Sequence, residues 1–436
     1  MTVETKLPYD KQYIESFSSD RKEPEWMKEL RLHALEKADQ LEMPKPDKTN
    51  ITRWNFTKFR HDYIPGEKIA SMNELPELLQ EYFDQDNIPE NLLIQRNQSV
   101  AYSTLSEELK EKGVIFTDIF TALEQHGDLV KKYFMTDAVS VDQNRLTALH
   151  AALVNSGAFI YVPKNVEIEV PLQIVFWHED PSAALFNHVI VVADENSKLT
   201  VVENYLSSAS EEETVANIVE EVFAHDNAKI SFGAVDHLSS KTTTYLNRRG
   251  VAYENATIDW ALGQMNDGNT VSENITHLIG NGSSSNANAV TVGRGKQIQN
   301  FTANIVQHGK GSDGFILQRG VMLEGATTIF NAIGKIEHGA IKANSEQESR
   351  LLMLSPNARG DANPILLIEE NDVTAGHAAS VGRVDPIQMY YLMSRGLPKD
   401  DAERLVIHGF LAPVVTQLPI ESVKKQLTQV IERKVY

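Results

Sequence analysis

Asn196-Ser197-Lys198-Leu199, Asn227-Ala228-Lys229-Ile230 and Asn255-Ala256-Thr257-Ile258 repeat one four-residue phrase at intervals of 31 and 28 residues. Asparagine tolerates positive φ better than most side chains, so an Asn before a small residue marks a tight turn. Each turn is followed by apolar residues at every second position. These are Leu199 and Val201, then Ile230, Phe232 and Ala234, then Ile258, Trp260 and Leu262. Period-two alternation turns one face of a strand inward. A turn-plus-strand unit recurring at a near-constant interval predicts a β-solenoid, each coil stacking on the last. A β-sandwich also has many short strands but gives no reason for a constant interval. A looser echo appears at Gly325-Ala326-Thr327-Thr328-Ile329. Upstream, Val166, Ile168, Val170, Leu172, Ile174 and Phe176 alternate with Glu167, Glu169, Pro171 and Gln173, predicting a strand over 166–176. The fold class is therefore mainly β, with a solenoid core over residues 139–380.

Helical spacing governs both flanks. Pro24 opens a helix whose stripe is Trp26, Leu30, Ala34, Ala38 and Leu41, ended by Pro44 and Pro46. Asp47 to Arg60 is a polar connector. A short helix around Leu105 and Leu109 ends at Gly113, with Thr104 and Glu107 placed as a capping box. Ile119–Leu123 and Leu129–Phe134 add two more, completing a mainly helical N-terminal region, 1–138. After the core, a small-residue loop around His377 and a turn at Val381-Gly382-Arg383 lead into a C-terminal helical region, 381–436. Asp385 is its N-cap, Pro386 its first helical residue and Gly396 its stop. A second helix runs Asp400–His408, stopped by Gly409, and a third Ile420–Arg433 after Pro419. Tyr390, Tyr391, Met393, Leu405, Phe410, Leu411 and Val415 exceed what three short helices can bury among themselves. Some are expected to cap the open end of the solenoid, others to receive a partner.

The totals exclude several classes. The 436 residues carry a formal charge of −19, with 42% hydrophobic and 23% charged residues. Such an acidic balance argues against nucleic acid and against anionic membrane surfaces. No apolar run approaches a membrane span, and MTVETKLPYDKQY lacks the apolar segment of a secretion signal. There is no cysteine. Disulfides, thiolate nucleophiles and thiolate metal sites are thereby removed, and a cytoplasmic location is expected.

No catalytic engine stands out. Gly293-Arg294-Gly295-Lys296 and Gly309-Lys310-Gly311 lack the spacing of a phosphate loop and read as turns. Neither a Gly-x-Ser-x-Gly elbow nor a His-Glu-x-x-His helix occurs. Among the thirteen histidines, His150 lies in an apolar helix-like stretch and reads as a satisfied core residue. His308 and His338 read as exposed turn residues. His377, between Gly376 and Ala378 at the end of the repeats, is the candidate metal ligand; its plainer reading is a structural turn residue.

The stretch from Glu346 onward resembles the SufB/SufD core family of iron–sulfur cluster assembly proteins. The matching residues are Arg350-Leu351-Leu352, Leu354-Ser355, Pro364, Asn371-Asp372-Val373, His377 with Ser380-Val381-Gly382-Arg383, and Tyr391-Leu392 with Ser394-Arg395-Gly396. Pro24-Glu25-Trp26-Met27, Thr147-Ala148-Leu149-His150-Ala151-Ala152 and Val162-Pro163-Lys164-Asn165-Val166 extend the likeness over nearly the whole chain. The lack of cysteine, and Ala378 where SufB chains typically have Glu, bring it nearer the SufD branch than the SufB branch.

The resemblance implies a right-handed parallel β-helix flanked by helical regions. It implies a heterodimer with SufB through the β-helix and docking of the SufC ATPase on the C-terminal helices. It also implies a role in cluster assembly, delivery or iron supply. Expected partner-binding residues are Ser380, Gly382, Arg383, Tyr390, Tyr391, Arg395, Leu405 and Phe410. His377 would face a SufB cysteine, so iron or a nascent cluster would be held between the two chains and not by this one alone. Alone, the chain is expected to be able to pair with a second copy. The leading reading is a non-catalytic scaffold subunit. A carbohydrate-active β-helix enzyme and a purely structural adaptor are the alternatives.

Overall fold

The computed structural model describes residues 9–69, 75, 79, 89–180, 183–208, 211–417 and 421–435. Residues 1–8, part of the stretch read as not being a secretion signal, and Pro419 and Ile420, at the expected start of the last helix, lie outside these. From Ser156 to Arg383 the chain winds into a β-solenoid of about eight coils. Each coil gives one strand to each of two parallel sheets, so successive strands alternate between sheets. Among the described residues the sheets hold ten and nine strands. In-register pairing stacks equivalent side chains in columns. One column runs Val201, Phe232, Trp260, Ala287, Ile316, Gln347. Its apolar members line the solenoid interior within the largest core cluster.

The repeated asparagines build one corner. Asn165, Asn196, Asn227 and Asn255 have φ of 62°, 56°, 60° and 53°. The side-chain amides of Asn196, Asn227 and Asn255 each donate to the asparagine before, at 2.9, 3.0 and 3.3 Å. Their backbone N–H groups reach the following coil, as Asn196 N–H does to Asp226 O at 2.9 Å. The same left-handed corner continues at Gly282, Gly311 and Lys342, with φ of 66°, 63° and 63°. At Gly282 a Cβ would stand 2.6 Å from Asn255 Oδ1, so the asparagine ladder itself calls for glycine there. The echo at Gly325 belongs to the opposite corner, between strands Asp313–Met322 and Thr327–Ile336, where Glu324 takes the left-handed conformation.

The two ends of the solenoid differ. At the N-terminal end, strand Leu92–Arg96 pairs in parallel with Leu172–His178 and carries the antiparallel strand Ser99–Thr104. Ile115–Asp118 closes the other sheet, antiparallel to Ser156–Val162. These strands fall in the region read as mainly helical. At the C-terminal end, Thr374–Arg383 and Arg359–Ile368 each pair on one side only and terminate their sheets.

Several local expectations change. The strand expected over 166–176 starts at Leu172, because Pro171 has no N–H to give a ladder and Val170 is exposed. Glu167 makes only a single bridge to Lys198. Helix Glu107–Glu111 is capped by Ser106, whose hydroxyl accepts from the Leu109 N–H; Thr104 ends a strand instead. The loop expected at His377 and the turn expected at Val381–Arg383 are one continuous strand, Thr374–Arg383. Asp385 does cap helix Pro386–Ser394, accepting from the Ile387 N–H at 2.8 Å. The next helix runs Lys399–Val415, straight through Gly409 and Pro413. It and helix Glu421–Val435 do not cap the open end. They lie along the outer face of the ten-stranded sheet, where Ile407, Leu411, Val414, Leu427 and Ile431 pack on Val202, Val235, Ala261, Val290 and Leu317. Gly263 permits this: a Cβ there would come within 2.8 Å of Leu427. Lys434 pins the last helix, donating to Met265 O, Asn266 O and Asp267 Oδ1.

The N-terminal helices dock on the other sheet through buried polar contacts. Helix Glu25–Gln40 buries Met27, Arg31, Ala34 and Ala38 against helix Arg145–Leu153. Arg31 is fully buried, forks onto Glu23 at 2.6 and 2.8 Å, and donates to the Ala152 and Val154 carbonyls at the end of the second helix. Beneath it, His150 is the core histidine the sequence indicated. Its Nδ1 faces the Asn217 carbonyl and its Nε2 the Nδ1 of His188, whose Nε2 faces Glu221 Oε2 at 3.0 Å. A carbonyl can only accept, so His150 donates there and accepts from His188; His188 then accepts from Glu221. That polarity needs a protonated Glu221, and burial raises its pKa to about 8. The same carboxyl accepts the Met135 and Val139 N–H groups, tying the helical region to the coil.

Arg31→Met leaves Glu23 charged and unpaired in the interior; thermal or denaturant unfolding should show a loss of about 3–5 kcal/mol. Glu221 has a raised folded pKa, so its contribution is full below about pH 4.5 and fades as pH rises through about 8. Melting curves over that window should show Glu221→Gln gaining on the parent protein as pH increases; parallel curves would contradict the neutral-acid assignment.

Candidate functional site

His377 sits on the terminal strand, paired through the backbone with Gln347. By register it extends the interior column Trp260–Ala287–Ile316–Gln347, so it stands at the mouth of the solenoid, on the inward-facing side. No further coil covers it, and it is exposed. Ala375, Gly376, Ala378 and Ala379 surround it with small side chains. Its ring has no hydrogen-bond or ion-pair partner among the described residues. Among the described residues, no three His, Asp or Glu side chains converge to hold a metal. An ion at His377 would therefore draw its other ligands from water or from another chain.

The partner-binding candidates fall on two surfaces. Ser380, Gly382 and Arg383 are exposed on the same terminal strand as His377. Nearby on the last two strands, Leu367, Ile368 and Val381 are exposed apolar residues. Tyr390 and Tyr391 are 75% and 55% exposed on helix Pro386–Ser394, and Arg395 follows them with its guanidinium 5.2 Å from the Tyr391 ring. Ile387 and Met393 on the same helix, and Leu405 on the next, are further exposed apolar residues. Phe410 is placed differently. It is partly buried, packs into the cluster beneath the C-terminal helices, and lies 5.4 Å from the Arg319 guanidinium.

A charged layer inside the solenoid escaped the sequence reading. Arg248, fully buried, donates to Glu220 at 2.6 Å, to both oxygens of Asp236 at 2.8 and 3.1 Å, and to Glu203 at 3.2 Å. Three carboxylates face one guanidinium. Burial, reinforced by Glu220, pushes the Glu203 carboxyl well above the usual carboxylate range. The signal was present in the phase of alternation. Glu203, Glu220, Asp236 and Arg248 occupy the inward positions set by Val201, Ile218, Ala234 and Leu246. These groups are sealed from solvent and fill the interior rather than offer a site.

The family described as SUF system FeS cluster assembly, SufBD core domain matches residues 176–410, and the SufBD protein N-terminal region matches residues 8–174. The chain is 60% identical to the iron–sulfur cluster assembly protein SufD of Bacillus subtilis, over the full length of both. It is 27% identical to an iron–sulfur cluster assembly SufBD family protein of Staphylococcus aureus strain USA300, covering 94% of this chain and 89% of that one. With both halves matched and a full-length relative at this identity, the chain belongs to the SufBD family of iron–sulfur cluster assembly proteins.

Proposed function

We propose that this chain is a non-catalytic scaffold subunit that joins its open solenoid end to a SufB-type paralogue and offers its first C-terminal helix to a SufC-type ATPase. The observation carrying this reading is the unequal finish of the two ends. At one, the final strands Ser99–Thr104 and Ile115–Asp118 are mostly withdrawn from solvent, while the other leaves two exposed strands, exposed apolar side chains and His377 uncovered. Open edges invite pairing with another chain, so a family member that keeps one open has a partner for it. A second copy of this chain would meet the same edge when the paralogue is absent. Iron, or a growing cluster, would be the cargo at this junction. His377 would give one imidazole and the paralogue its thiolates, a ligand mix that a cysteine-free chain cannot assemble alone. A cytoplasmic setting belongs to this reading; among the described residues no helix is long and apolar enough to cross a membrane.

Helix Pro386–Ser394 buries none of its residues, whereas the two helices after it are part of the core. In this reading the exposed helix is the ATPase contact, and the later two are its base. Deleting everything after Asp385 would strip the sheet beneath, so point changes test the contact more cleanly.

His377→Ala should leave folding and complex formation intact while cluster yield in a reconstituted three-component assembly falls severalfold. Undiminished yield would remove His377 from the site. Tyr390→Asp with Ile387→Asp should weaken ATPase capture by about 2 kcal/mol or more in a binding titration, with the paralogue still bound. Unchanged ATPase binding would move the contact elsewhere.

A further inference from the structure

A second histidine pair lies on the outer corner of the nine-stranded sheet. His277 is the penultimate residue of strand Thr270–Leu278, and His308 directly follows strand Ile298–Gln307 on the next coil. Parallel pairing fixes both backbones: Leu278 lies beside Gln307, and the His308 N–H donates to Leu278 O at 2.9 Å. The rings are nearly parallel, 20° between planes with centroids 5.7 Å apart. His277 Nδ1 stands 3.4 Å from His308 Nε2.

As a hydrogen bond that separation is long, since N–H donors usually sit about 2.9–3.0 Å from their acceptors. The spacing also matches the edge of a coordination shell, and a modest swing of the rings, whose nitrogens now point at one another, would aim both lone pairs at one ion. Two imidazole nitrogens at about 2.0–2.1 Å from one tetrahedral ion are about 3.3–3.4 Å apart. His308 is exposed and His277 half-buried, so an ion can reach both. Burial, then the neighbouring His308, lowers the pKa of His277, leaving that ring neutral and able to ligate. Glu337 occupies the position of His308 one coil on, its N–H donating to Gln307 O. Its carboxylate is held ionised first by the Lys335 hydrogen bond and further by His308. Arg249 and Lys335 also face the pair, but each is already engaged, with Glu273 and Glu337 respectively.

We propose that His277 and His308 form a two-imidazole chelate for a divalent transition-metal ion, with water completing the coordination. Imidazole donors select zinc, iron(II), nickel or copper over magnesium and calcium. The site is made wholly from this chain, bridges two neighbouring coils, and does not depend on the role given to His377. Its open coordination suits an ion that is taken up and passed on rather than kept.

Calorimetric titration of the untagged full chain with zinc(II) tests it. Three proteins serve: the parent, the double variant His277→Gln/His308→Gln, and His377→Ala. The parent and His377→Ala should bind one ion alike, and zinc should raise their melting temperature. The double variant, folded with an unchanged metal-free melting temperature, should bind about ten-fold or more weakly and lose the zinc-dependent rise. No saturable binding by the parent would overturn the proposal. So would full binding by the double variant, or loss of binding in His377→Ala.

Discussion

Everything in this molecule hangs on coil-to-coil registry, held by a corner in which one residue per turn adopts positive φ. A coil can lie flat on its neighbour only if each corner turns through the same angle. The left-handed residues at 165, 196, 227, 255, 282, 311 and 342 supply that angle again and again. Their backbone N–H groups bond to the next coil, and four asparagine amides add a side-chain ladder along the same line. Once registry is fixed, the inward columns follow, and with them the positions of Trp260, of the Arg248 layer and of His377. A one-residue slip would turn each inward column out to solvent.

Registry also explains why chemistry gathers at the last coil. In the middle of a solenoid an inward residue is walled by coils above and below. The same column that buries Trp260 and Ile316 leaves His377 uncovered, because the stack stops there. Nothing about the local sequence need be special to expose it; the exposure comes from position along the axis.

Much of the fold was legible because its signals are local. The asparagine corner, the alternation after it and the Asp385 cap are each written within a few residues, and each holds in the structure. The misreadings share a different cause. Gly409 does not end its helix because the sheet beneath holds it, and tertiary packing outweighs local propensity. The strands at 92–104 were hidden because pairing with Leu172–His178, far along the chain, is what makes them strands. The buried carboxylates went unread because charge suggests solvent, while the alternation phase said interior. At the terminal strand the sequence located His377 but gave it a loop, since Ala, Gly and Ser carry little strand preference of their own. The partner of each backbone group there lies on Asn344–Met353.

The two helices on the outer sheet act as a splint. A repeat stack is ordinarily a one-dimensional object, free to fray from an open end one unit at a time. Here Leu411, Val414, Leu427 and Ile431 grip strands belonging to several coils at once, from Val202 to Leu352, and Lys434 locks the far end of the brace to the corner at 265–267. Peeling the last coil therefore strains bonds many coils away, which converts a zipper into a single cooperative block. The splint also follows the coils in the chain, so it is synthesised after them. Until it docks, the coils stand as a row of partly independent units; afterwards, a force on the helices is felt along most of the axis at once.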